Sequence, residues 1–155
     1  MKIGALEAGG TKMVCAIGDE TGKIYEQVSI PTITPEETMP KLLEYFKGKD
    51  IEALGIACFG PVDLDKDSDT YGYITTTPKT AWMNTDVVGY FSKGLKVPVG
   101  FDTDVNGSLL GEVTYGQAKG LKDAVYYTIG TGIGAGIMSG GNLVHGAMHP
   151  EAGHM

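Results

Sequence analysis

Cysteine is scarce in this 155-residue chain: only Cys15 and Cys58 occur, each inside an apolar stretch, "MVCAI" and "GIACF". Both read as buried free thiols, which fits a reducing cytoplasm. Basic charge is also short. Twelve Lys+Arg face 19 Asp+Glu, for a net charge of −7 and a pI near 4.8. That balance argues against nonspecific binding to nucleic acid or anionic membranes. No apolar run is long enough to span a bilayer, and Glu7 with the Gly9-Gly10 pair interrupts anything resembling a signal peptide. The common P-loop pattern is missing too: in "EAGGTKM" Thr11 precedes Lys12 and Met13 follows it. Glycine, by contrast, is abundant, with 24 residues. They follow no period, which excludes collagen, and they cluster in pairs and alternating runs, as in tight turns and backbone–ligand contacts. With 42% hydrophobic residues the chain can bury a real core, as one domain with a second, incomplete one.

Period-2 alternation predicts strands at "KIGALEA", "MVCAIGD" and "KIYEQVSI", joined as an antiparallel meander through Gly9-Gly10 and Asp19–Gly22. A helix follows. Thr34-Pro35-Glu36-Glu37 reads as a capping box with Pro at the first helical position, and Met39, Leu42, Leu43 and Phe46 form the buried face. Pro40 implies a kinked or delayed start. "IEALGIACFG" is a buried strand ending in a Gly-Pro turn, and a long irregular excursion follows it, up to Trp82. A helix over about Asn84 to Gly94 leads to the strand "VPVGFD". Asp104 then reads as the N-cap of a helix over Val105 to Gly116 that buries Leu109, Leu110 and Val113. "AVYYTI", "GTGIGAG" and "IMSGGNLVHG" form another strand–glycine turn–strand unit. Strand–helix–strand connectivity implies an α/β fold with a mixed sheet. The two glycine hairpins echo each other, and facing one another they could offer backbone N–H groups to one polyphosphate.

Four motifs bear on chemistry. Gly130-x-Gly132-x-x-Ala135, with Glu151 further on, fits a loose dinucleotide fingerprint, but the glycines sit in a hairpin instead of opening a helix. Phosphate cradling, with Thr131, is the better reading, ahead of a ligand-free glycine hairpin. Asp104 lies where a strand gives way to a helix, so a cap and a general base are compatible roles, with Asp102 as the competing carboxylate. "DLDKDSDT" alternates acids but lacks the glycine and glutamate of a calcium loop, and reads as a solvated acidic loop. Asp63, at its start, can still point into a cleft. His145, His149 and His154 cluster in sequence without a nearby cysteine and without the glutamate of a metalloprotease helix.

Taken together and in order, "EAGGTK", "FGPVD", "TTPKTAW", "DTDVNGSLLGE", "GTGIGAG" and "HPEAGHM" resemble the ROK sugar kinases, and within that family are most similar to the bacterial fructokinases. The resemblance implies an actin-like, ribonuclease-H-like ATPase domain over residues 1–118. The first hairpins of a second, similar domain would occupy 119–155. It implies ATP-dependent phosphorylation of a hexose, fructose first, to the 6-phosphate, with mannose or glucose as alternatives. Gly9, Gly10, Thr11 and Lys12 would form the first phosphate hairpin, and Thr131 and Gly132 the second. Asp104 would be the base. Gly60, Pro61, Thr103, Glu151 and His154 would contact the sugar. Glu7 would face Mg²⁺ through water, and His154 would bind a structural Zn²⁺ with partners outside this chain. The family usually has Asp at the position of Glu7 and often Asn at that of Thr103, so reach toward Mg²⁺ and one sugar contact differ. A homodimer in the cytoplasm is implied, with no nucleic-acid or membrane partner. A sugar-responsive repressor is disfavoured by charge and by a chain that opens directly in a strand. A non-catalytic sugar binder is disfavoured by retention of Asp104. Members of the family are about twice as long, so this chain is expected to be one piece of such an enzyme.

Overall fold

The computed structural model describes residues 1–130, 132–146 and 151–154. Its elements run in the order β1 (Lys2–Ala8), β2 (Lys12–Asp19), β3 (Ile24–Pro31), α1 (Pro35–Phe46), β4 (Ala53–Cys58), β5 (Tyr73–Ile74), β6 (Thr85–Asp86), α2 (Val87–Leu95), β7 (Val99–Thr103), α3 (Asp104–Thr114), β8 (Ala124–Ile129), β9 (Ile133–Ser139) and β10 (Asn142–Leu143), with short 3-10 turns at Thr80–Trp82 and Ala152–His154. The main sheet has the order β3-β2-β1-β4-β7. The expected meander β1–β2–β3 is antiparallel, whereas β4 and β7 join it in parallel. β8, β9 and β10 make a second, antiparallel sheet, and β5 pairs with β6 across the long excursion.

Alternation decides which face of the main sheet is buried. Leu6, Ala8, Met13, Cys15, Ile17, Leu54, Ile56 and Cys58 point to one side, where Met39, Leu42 and Phe46 of α1 and Phe91 of α2 complete the core. α1 starts as its capping box predicts: Thr34 Oγ1 accepts from Glu37 N at 3.4 Å, with Pro35 in the first turn. Pro40 does not delay it; the helix is continuous from Pro35 to Phe46. An interior proline costs about 3 kcal/mol. Full burial of Leu42 and Phe46, each 1% exposed, contributes about 1.5–3 kcal/mol apiece and offsets it.

α2 begins at Val87, later than the expected Asn84, because Asn84 has a left-handed φ of 57° and Asp86 caps the helix, its Oδ1 accepting from Gly89 N at 2.7 Å. In α3 the cap is Thr103, not Asp104: Thr103 Oγ1 accepts from Asn106 N at 3.1 Å. The helix buries Val105, Asn106 and Leu109, whereas Leu110 is 49% exposed and Val113 only half-buried. α3 is shared between the sheets: it packs on β4 and β7 on one side and on β8 and β9 on the other. Among the described residues no helix is long and apolar enough to cross a membrane.

Candidate active site

The first glycine hairpin is held from behind. Thr32 donates its hydroxyl to Gly9 O at 2.7 Å and its N–H to Thr11 O at 3.0 Å. The tip residues Thr11 and Lys12 stay exposed. Gly10 lies under a lysine: a Cβ there would stand 2.7 Å from Lys79 Cε and 3.7 Å from Lys79 Nζ, a crowding that the flexible end of that side chain can relieve. Lys79 therefore lays its ammonium end across the hairpin. Trp82, three residues on, anchors that segment by burying its ring and donating Nε1–H to Ile33 O at 2.9 Å. Lys79 belongs to "TTPKTAW", one of the stretches that carry the family resemblance, and no local pattern reveals its contact with Gly10.

The second hairpin, β8–β9, is braced differently. A Cβ on Gly136 would meet Val105 O at 2.7 Å and Asn106 Oδ1 at 3.0 Å, so this glycine serves the packing of β9 on α3. Gly130 and Gly132, at the tip, face open space within 4 Å, and Gly130 N donates to Gly132 O at 2.9 Å. The glycines of "GTGIGAG" thus divide into a packing set and a tip free to meet a ligand. Thr131 lies outside the described residues. Gly153 packs so tightly on the backbone of Ile133 and Gly134 that a Cβ would fall 2.1 Å from Ile133 O, which brings the "EAGH" segment against this hairpin.

Between the hairpins lies an acidic row. Glu7 registers with Ala57, and Ala57 with Asp102, so the two carboxylates share one face of the main sheet with the small Ala57 between them. Two strand spacings separate them by about 10 Å. Glu7, Asp102 and Asp104 all line a 540 Å³ cavity between the open sheet face and α3, together with Ser108 and Leu110. Asp104 sits in the first turn of α3, where the helix field favours a negative charge, and its Oδ1 accepts from Val105 N at 2.9 Å. Burial drives the Cys58 thiol well above its ordinary pKa of 9.0, and the nearby Asp104 carboxylate raises it further. Asp102 is more committed. Its Oδ1 accepts from Thr103 N at 2.7 Å and from Asn106 Nδ2 at 2.8 Å, and its Oδ2 meets His145 Nε2 at 2.7 Å.

A second cavity of 710 Å³ is lined by Pro61, Val62, Asp63, Thr75, Thr76, His145 and others. Thr75 braces its wall, donating N–H to Pro61 O at 2.8 Å. Asp63 lines this cavity but spends its carboxylate on the acidic loop: Ser68 Oγ and Thr70 Oγ1 donate to Oδ2 at 2.6 Å each, and Asp65 N to Oδ1 at 3.0 Å. Those hydrogen bonds hold its pKa below the usual carboxylate value. Thr103, expected at the sugar, is instead 0% exposed with its hydroxyl used as a cap. Glu151 is exposed just before the turn Ala152–His154. His149 lies outside the described residues, and His154 is described in its backbone alone. His145 joins the carboxylate of Asp102. Among the described residues no three of His, Cys, Asp and Glu gather as a metal site.

A mixed sheet entered by an antiparallel hairpin, with a second glycine hairpin packed across a shared helix, is the actin-like, ribonuclease-H-like ATPase fold of sugar kinases. A ROK glucokinase from Streptomyces griseus, solved with glucose and AMPPNP, superposes with a TM-score of 0.80 at 26% identity, covering 99% of this chain and 49% of that one. The chain belongs to the ROK family, whose sequence profile matches residues 3–155. It is 52% identical to a fructokinase of Streptococcus mutans over 98% of this chain and 52% of that protein. It is 47% identical to a fructokinase of Lactococcus lactis over 97% of this chain and 51% of that protein. The chain spans about half the length of the curated relatives it matches.

Proposed function

We propose that this chain carries the phosphate hairpins and the catalytic carboxylate of an ATP-dependent hexose kinase, with D-fructose the preferred acceptor and fructose 6-phosphate the product. The observation that carries this reading is Asp104, at the first turn of α3, sharing a cavity with Glu7 beside the sheet from which the Gly9–Lys12 hairpin extends. Fructose in particular is favoured by the fructokinase relatives.

Phosphoryl transfer asks for positioning and for stabilisation of charge on the moving phosphoryl group. In this reading Asp104 accepts the proton of the sugar 6-hydroxyl as that oxygen bonds to the γ-phosphorus and the bond to the β-phosphate oxygen breaks. Backbone N–H groups of Gly9, Gly10 and Thr11 and of Thr131 and Gly132 would serve as donors to the phosphates, with Lys12 and Lys79 as nearby cations, while the Gly130 N–H is spent on Gly132 O. The chain has no arginine, so within it lysine alone supplies fixed positive charge to phosphates. Gly60, Pro61, Glu151 and His154 belong to the sugar side of this reading. The carboxylates fit Mg²⁺, a hard cation that takes oxygen ligands and keeps several waters. Bound with ATP, Mg²⁺ would neutralise charge on the β- and γ-phosphates. In this reading Glu7 takes a water-mediated place at Mg²⁺, whereas both oxygens of Asp102 are engaged, by Thr103 N, Asn106 Nδ2 and His145 Nε2. Zinc at His154, the homodimer and a cytoplasmic location rest on the family resemblance alone.

The test is a coupled assay on the full-length parent protein with ATP, Mg²⁺ and a panel of fructose, mannose and glucose. Fructose is expected to give the highest kcat/KM; a preference for either other hexose would overturn the fructose assignment. Asp104→Asn is expected to lower kcat by about 10²–10⁴ with hexose affinity retained. Near-wild-type turnover in that variant would remove Asp104 from the role.

A further inference from the structure

The contact between His145 and Asp102 joins the loop after β10 to the end of β7, and the established chemistry of the fold gives it no assignment. Three facts fix its character. Asp102 is 23% exposed and fully engaged on Oδ1, by the Thr103 N–H and by the amide of Asn106, itself 0% exposed. Its Oδ2 faces His145 Nε2 at 2.7 Å. His145 keeps 40% of its side chain exposed and lines the 710 Å³ cavity with Pro61, Thr75 and Thr76. A carboxylate can only accept, so Nε2 must be the donor. In the neutral imidazole, donation from Nε2 leaves Nδ1 as an acceptor. A rigid acceptor on the rim of a cavity of ligand-binding size is suited to reading a hydroxyl.

We propose that His145 is a specificity-determining residue of the hexose site. Held by Asp102, its Nδ1 accepts a hydrogen bond from one sugar hydroxyl in the cavity walled by Pro61 and Thr75. Asp102 is then a positioning residue that sets the imidazole tautomer, not a competitor of Asp104 for the proton. This inference rests on the hexose-kinase reading above. The competing explanation is a purely structural tie between the two sheets.

The experiment uses the full-length parent, its best hexose and the singly deoxygenated analogues of that hexose, with thermal unfolding in parallel. His145→Ala is expected to raise hexose KM on the order of tenfold, with ATP KM and Tm unchanged. For the one analogue that lacks the hydroxyl read by Nδ1, wild type and variant should share the same KM, which is the signature of a lost pairwise contact. Asp102→Asn supplies the second route. It keeps the Oδ1 acceptor for Thr103 and Asn106 but offers Nε2 a donor, which turns Nδ1 into an N–H. The KM penalty should appear for the same hydroxyl, at unchanged Tm. Unaltered hexose KM in both variants would overturn the inference, and so would a penalty spread equally over all analogues together with a lowered Tm. If the wild-type parent phosphorylates no hexose, the kinase reading itself fails and this inference with it. If it does so and the variants behave like wild type, only the role of His145 falls.

Discussion

Thr103 separates two readings of the same residue, one as a sugar contact and one as the cap of α3. Thr103→Val removes the hydroxyl and keeps the shape. The lost acceptor served the Asn106 N–H at 3.1 Å, and both residues are 0% exposed, so the stranded donor cannot turn to water. Loss of an N-cap costs about 1 kcal/mol, and burial of the orphaned donor moves this toward about 2. Thr103→Ser keeps the cap and loses one buried methyl, about 0.8 kcal/mol. Thr103→Ala loses both, for about 2–3 kcal/mol. At roughly 2–4 °C per kcal/mol for a domain of this size, Tm should fall by about 4–8 °C for the valine variant and about 2–3 °C for the serine variant. The assay is thermal unfolding of the full-length parent beside its hexose KM. Destabilisation should rise in the order Ser, Val, Ala, with hexose KM unchanged throughout. A valine variant with wild-type Tm and a raised hexose KM would refute the capping argument and restore Thr103 to the sugar.

Other outcomes follow from packing, charge and burial. Gly136→Ala should destabilise by about 1–3 kcal/mol, because its Cβ meets backbone that cannot yield. Gly130→Ala, facing open space, should be neutral or slightly stabilising, and equal unfolding midpoints for the two variants would refute the division of the glycines into packing and tip positions. Lys79→Met should lower kcat/KM for ATP by about tenfold to a hundredfold and spare hexose KM; unchanged ATP kinetics would exclude a phosphate role. Burial raises the Cys15 thiol to about 12 and Cys58 higher still, from an ordinary 9.0, so folded protein holds both protons more tightly than unfolded chain. Their contribution to stability should be full below about pH 9 and should decline as pH climbs past it. At pH 8 neither should react with iodoacetamide until the protein unfolds, as peptide mapping would report.

Much of the fold is legible locally. The meander, the buried face of β4 and the capping box at Thr34 each follow from patterns a few residues long, and the structure reproduces them. Errors arise where a residue's surroundings come from far along the chain. Leu109, Leu110 and Val113 are all apolar, and spacing alone does not say which face of α3 meets the two sheets; Leu110 ends on the cavity side. Asp104 and Thr103 are both good caps, and a strand that extends to Thr103 decides between them. The candidate site divides in the same way. The glycine hairpins and Asp104 carry motif signals, whereas Lys79 across Gly10 and His145 on Asp102 are long-range pairings without one. His145 stands in sequence near His149 and His154, whereas its partner Asp102 lies on another sheet.

The placement of α3 between the sheets has a consequence for how the protein comes apart. The expected boundary near residue 118 is a division of sequence, yet Val105 and Asn106 meet β9 at Gly134 and Gly136 while Gly107 sits against Ala57 of β4. A helix walled on both sides cannot fray toward one sheet without exposing apolar surface to the other. Opening of the second hairpin should therefore be coupled to loss of the turn that carries Asp104, and backbone amides in β9 and in the first turns of α3 are expected to exchange as one cooperative unit. Damage to the support of the second hairpin would reach the Asp104 carboxylate through that helix, without any change in the residues around it.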